Sequence, residues 1–112
     1  MQELIQEKNT LTAQLNASVR ELRKSGTAYA EAERDYKILL RTECMKLRDD
    51  GMAIGMIDKV CYCIPSVAEA RFKRDIAETV YKANNEAINS LKLQLRLIDS
   101  QLDREWHSGT EV

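Results

Sequence analysis

The stretch DDGMAIGMIDKVCYCIPSVAE, residues 49–69, decides the fold of this chain. It contains Gly51, Gly55 and the sole proline, Pro65, and long helix-forming runs flank it on both sides. Asp50-Gly51 marks the end of the first run, because glycine suits the left-handed position just past a helix C-terminus. Pro65 and Ser66 mark the start of the second. Ser66-x-x-Glu69 reads as a capping box, in which the serine oxygen accepts from a free backbone N–H and the glutamate reaches back. Between these signals, Ala53 to Val60 predicts a short helix with Ile54, Ile57 and Val60 facing inward. Cys61 to Pro65 predicts a turn. Two long helices joined by so short a link must run antiparallel.

Upstream, Leu4 to Leu47 holds no proline and one glycine. Leu4, Leu11, Ala32 and Leu39 form one row at seven-residue spacing. Leu15, Leu22, Tyr29 and Tyr36 form a second, four residues on. Ile5, Val19, Leu40 and Leu47 widen the stripe. This is an amphipathic helix with a coiled-coil-like seam. The seam weakens at Ser18, Ser25 and Gly26, and a mid-helix glycine costs about 1 kcal/mol relative to alanine. The repeat keeps its phase across Ser25-Gly26, which predicts a continuous or slightly bent helix. Downstream, Val80, Ala87, Ile88, Leu91, Leu95, Ile98 and Leu102 form the second stripe, with Tyr81 and Asn84 on the same face. Asn84 either fixes register from within the seam, as a lone buried asparagine can, or touches water at its edge.

The expected fold is all-α: one helical-hairpin domain over residues 1–112. Its parts are a helix over 3–49, a short helix and turn over 51–65, a helix over 66–106 and a frayed tail over 107–112. A hairpin has a single interface, each stripe is wider than one seam, and small chains bury little surface alone. A homo-oligomer is therefore expected, most simply a dimer packed as a four-helix bundle.

Composition narrows the function. The 112 residues carry 17 Lys and Arg against 18 Asp and Glu, a net charge of −1. That balance argues against bulk electrostatic binding to DNA or anionic lipid. No apolar run approaches the roughly 20 residues of a membrane span. The opening MQELIQEKNTL has no basic stretch followed by an apolar core, so no secretory signal is expected. Three cysteines, Cys44, Cys61 and Cys63, point to reduced thiols in a cytoplasm. Cys61-x-Cys63 lacks the C-x-x-C spacing of a redox pair. With one histidine, His107, far away in sequence, no metal site is expected. The cysteines read as small buried apolar residues.

Catalytic groups are thin. No nucleophile–base pair and no glycine-rich phosphate loop is visible, so no catalytic residue, cofactor or enzymatic activity is expected. Glu31, Glu33 and Asp35 read as a solvated face, with Lys37 placed four residues on from Glu33. The basic residues carry more. Arg34, Lys37, Arg41 and Arg48 share one helix face, and Arg71, Lys73 and Arg74 open the second helix. Both groups lie toward the tip of the hairpin. Residues 54–74 also read loosely as a helix-turn-helix. Interspersed acids and the lack of stacking aromatics, with Phe72 read as pointing inward, weigh against DNA. Met45, Met52, Met56, Tyr62 and Ile64 make the tip apolar. They either plug the hairpin's end or form an adaptable docking surface. The candidate partner-binding residues are Arg34, Lys37, Arg41, Arg48, Met52, Met56, Arg71, Lys73 and Arg74.

The segments YAEAERDYKILLRTECMKLRDDGMAIGMIDKV and IPSVAEARFKRDIAETVYKANNEAINSLKLQLRLIDSQLDREW cover roughly the last three quarters of the chain. They resemble small helical proteins encoded by phages and prophages of Gram-positive bacteria, often found among early or recombination genes. Tyr36, Gly51, Met52, Ile54, Pro65, Val67, Ala68, Arg71, Tyr81, Ala83 and the run from Leu91 to Trp106 carry the likeness. The resemblance implies a phage-encoded accessory protein of the host cytoplasm and brings no catalytic residues. The expectation is a non-enzymatic protein-interaction module acting on a replication or recombination factor, or on a host defence nuclease such as a CRISPR effector. The alternatives are a DNA-binding accessory factor using residues 54–74 and a virion assembly or scaffold protein.

Overall fold

The computed structural model describes residues 1–110. Its elements are α1 (Gln2–Asp49), α2 (Ile54–Val60), a single 3-10 turn (Cys61–Cys63) and α3 (Pro65–Thr110). Every regular element among the described residues is helical, and α1 and α3 form the hairpin. The boundaries follow the sequence closely at the link. Helix α3 continues past Trp106 to Thr110, where fraying was expected, and residues 111–112 of that tail lie outside the described residues.

The end of α1 follows from Gly51. Its φ of 90° is open to glycine alone at low cost. The Gly51 N–H donates to the Arg48 carbonyl at 3.0 Å and the Met52 N–H to the Leu47 carbonyl at 3.1 Å. These two bonds make a Schellman cap. At the other side of the link the capping box does not form as read. Ile64 is extended, at φ −63° and ψ 126°, and α3 begins at Pro65 itself. Proline suits the first helical position because its fixed φ is already helical and no N–H is wasted. Ser66 is thereby moved one residue inside the helix, and the first carbonyl to accept is that of Ile64, from Ala68 at 2.9 Å. The expected turn at Cys61 is the 3-10 helix.

The chain divides into two compact units. One comprises residues 24–81 with the link, the other residues 1–23 with 82–112. In the unit with the link, Ser25, Tyr29, Ala32, Tyr36 and Leu39 of α1 are buried or half-buried, as are Val67, Ala70, Arg74, Ala77 and Tyr81 of α3. The spacing alternates three and four residues, the pattern of a coiled-coil seam. In the other unit Leu4, Leu11, Leu15, Ser18 and Leu22 line one side, and Asn84, Ile88, Leu91, Leu95, Ile98 and Leu102 the other. Two exposed ion pairs cross between the antiparallel helices there, Lys8 with Asp99 at 2.7 Å and the N-terminal amine with Glu105 at 3.4 Å. Asn84 lies within that seam, half-buried, its side-chain amide donating to the Glu21 carbonyl at a long 3.5 Å.

The seam corrects three sequence assignments. Val80 and Ala87 are exposed, because stepping back four and three residues from Ile88 lands on Asn84 and Tyr81. Phe72 is 58% exposed, since the same stepping puts Arg74 inward in its place. In α2 only Ile57 is buried; Ile54 is 78% exposed and Val60 half-buried.

Helix α1 is continuous through Ser25-Gly26. A Cβ built on Gly26 would lie 3.3 Å from Cε2 of Tyr81. The Tyr81 ring also lies 6.0 Å from that of Tyr29, tilted by 33°. Ser25 is buried beside it. The weak point in the apolar repeat is thus a flat spot that receives an aromatic ring.

Candidate interaction surface

The end of α1 and the link leave several apolar residues on the surface. Met45 is 56%, Met56 50% and Tyr62 45% exposed, together with Ile54. Burial of Ile57, Cys61 and Val67 explains the arrangement. The two turns of α2 bury only Ile57 fully, so Ile54 and Met56 face water and Val60 is half-buried. Met52 is half-buried beside the cap of α1.

A hollow of about 370 Å³ lies between the end of α1 and α2. Arg41, Cys44, Met45 and Arg48 line it from α1, and Ile54, Ile57 and Asp58 from α2. It brings together Arg41, Arg48 and the most exposed apolar residue of the link. The Arg71 guanidinium stands 5.9 Å from the Tyr62 ring centroid, near the limit for a cation–π contact.

The other basic candidates are engaged otherwise. Arg34 pairs with its neighbour Asp35 at 3.1 Å. Lys37 pairs with Glu33 at 3.5 Å. Arg74 is a member of the seam, its side chain only 21% exposed. Its guanidinium lies 4.6 Å from the Tyr36 ring centroid, 2.8 Å from Asp75 and 3.8 Å from Glu33. The Asp75 carboxylate holds the Arg74 cation firmly protonated, above the ordinary arginine range. Lys73 lines a separate groove in the same unit, about 530 Å³, whose uncharged lining is Ala28, Ala32, Leu39, Ser66 and Ala70. Its rim carries Glu31, Asp35 and Glu69. Glu31 and Asp35 are exposed and Glu33 pairs with Lys37, as the solvated-face reading expects, but the groove beside them was not read from the sequence. The signal that marks it is the alanine row Ala28 and Ala32, which leaves room that a larger residue would fill.

The cysteines separate by environment. Cys61 is buried, Cys44 half-buried and Cys63 exposed. Burial pushes the Cys44 thiol above its ordinary value, and the neighbouring Cys61 thiol adds to this. Among the described residues no three His, Cys, Asp or Glu side chains are grouped to hold a metal. No helix among them is long and apolar enough to cross a membrane. No known protein family, curated protein or solved structure matches the chain.

Proposed function

We propose that the chain is a non-enzymatic protein-interaction module that engages its partner through the tip. The observation that carries this reading is the exposed pair Met45 and Ile54, which share one hollow with Arg41 and Arg48, while Met56 and Tyr62 are also exposed in the link. Exposed apolar side chains that line a hollow together mark an association surface. Methionines adapt to a partner's shape, and arginine is favoured in interface centres. As target we propose a replication or recombination factor, or a host defence nuclease, the class that the sequence resemblance to phage accessory proteins implies.

A tagged pull-down after nuclease treatment, read by mass spectrometry, tests the reading. The wild-type chain is expected to hold a stoichiometric partner, and Ile54→Asp with Met56→Asp to lose it while keeping its helical circular dichroism. Recovery of the same partner by the double variant would remove the tip from the proposal. A partner lost with nuclease treatment would move the reading to nucleic-acid binding. That case also requires affinity for DNA that falls steeply with salt. Growth into large assemblies on concentration would instead favour a scaffold.

A further inference from the structure

The groove beside Lys73 is distinct from the tip, and its chemistry is opposite. Its floor residues on α1 run from Ala28 to Leu39, roughly 16 Å at the helical rise. Alanine at Ala28, Ala32 and Ala70 keeps the floor low, and low side chains let a third helix approach closely. Three turns of an amphipathic helix fit that length, with anchors at the first, fourth or fifth, and eighth positions.

The rim decides what kind of helix. Glu31 and Asp35 stand on the α1 wall and Glu69 on the α3 wall, against Lys73 alone. Asp35 is satisfied by Arg34. Glu31 and Glu69 have no ion-pair partner among the described residues. A second copy laid groove to groove would bring the same three carboxylates and one lysine from each side. Like charges would then dominate the contact, which costs binding energy. A helix with cationic flanks meets the two unpaired carboxylates with opposite charge.

We infer that this groove binds a basic amphipathic helix of a partner protein, its small apolar side chains on the alanine floor and its Lys or Arg residues reaching Glu31 and Glu69. The inference stands or falls separately from the reading of the tip.

The test uses the full chain and two synthetic helical peptides. Both carry leucine and alanine on one face; one is flanked by lysine and arginine, its twin by glutamate. Binding is read by fluorescence anisotropy and by amide chemical-shift mapping. The basic peptide is expected to move the amides of Ala28, Ala32 and Ala70, with affinity falling as salt rises. Glu31→Gln with Glu69→Gln is expected to weaken it by about tenfold or more, on the scale of two lost charge contacts. Lysine at both positions should abolish it. Both sites are exposed, so folding should survive, which circular dichroism checks. Equal binding of the two peptides, shifts confined to the tip, or no saturable binding of the basic peptide would overturn the inference. So would a dimer in sedimentation equilibrium whose contacts map to the same alanines, since a second copy would then fill the groove.

Discussion

Gly26 lies against the ring of Tyr81, where an added Cβ would stand 3.3 Å from Cε2. A β-branched residue at this position would collide with the ring at a distance already tight for a single Cβ. Gly26→Val is therefore expected to destabilise the hairpin by about 1–3 kcal/mol, as overpacking does. Urea unfolding followed by circular dichroism measures this, and a stabilised variant would show that the ring moves freely. Arg74 shows the same preference for packing over exposure. Its guanidinium covers Tyr36 while its stem lies along the seam. Arg74→Ala is expected to cost about 1–2 kcal/mol, with little change between low and high salt, because lost packing outweighs lost charge. A loss that vanishes at high salt would identify a purely surface ion pair. Cys44 gives a pH dependence. Its thiol pKa is raised in the folded chain, chiefly by burial. The unfolded thiol therefore ionises first as pH rises. Stability from this group is full below about pH 8.5 and is lost as pH rises beyond it toward the folded value. Cys44→Ala is expected to flatten the alkaline side of the stability curve, and an unchanged slope would rule Cys44 out as its source.

At the level of elements, the helix ends test the argument most sharply. Gly51 holds its positive φ as the last link in the cap of α1, so Gly51→Ala is expected to cost about 1–2 kcal/mol. Ser66 provides the contrast. As a cap it would lose about 1 kcal/mol on replacement by alanine. Inside the first turn of α3 it is expected to lose less than about 0.5 kcal/mol, the usual size for an exposed surface change. Parallel thermal melts of the two variants decide between these readings. The helix lengths, the link and the end of α1 were legible because proline, glycine and the seven-residue repeat act locally. The start of α3 was misplaced by one residue because Pro65 and Ser66 both make good helix starts. Proline occupied the first helical position and displaced the serine.

The molecule as a whole has a thin interior. Among the described residues only Leu11, Tyr36, Ile57, Cys61, Val67, Ile88 and Ile98 are buried apolar side chains, with Ser25 the buried polar one. Small chains of this kind gain much from association. We expect a homo-oligomer, with the dimer first. Its melting temperature should then rise with protein concentration, because binding to the folded state stabilises by mass action. Sedimentation equilibrium across a dilution series checks it, and a monomer with a concentration-independent melt would withdraw the expectation. The four-helix bundle closed groove to groove is disfavoured by the carboxylates of Glu31, Asp35 and Glu69. Association should use another face.

Sequence alone determined that two long helices meet antiparallel across a short link, because heptad spacing, Gly51 and Pro65 act through backbone geometry that any surroundings preserve. Tertiary structure decided which of two adjacent stripes on α3 became the seam. A shift of one residue separates Val80 from Tyr81 and turns a side chain by about 100° around the helix. That phase is chosen by the partner helix, where Tyr81 finds the flat spot at Gly26 and Arg74 finds Tyr36. The same choice sent Phe72 outward and opened the groove over Ala28, Ala32 and Ala70, none of which a single strand of sequence can display.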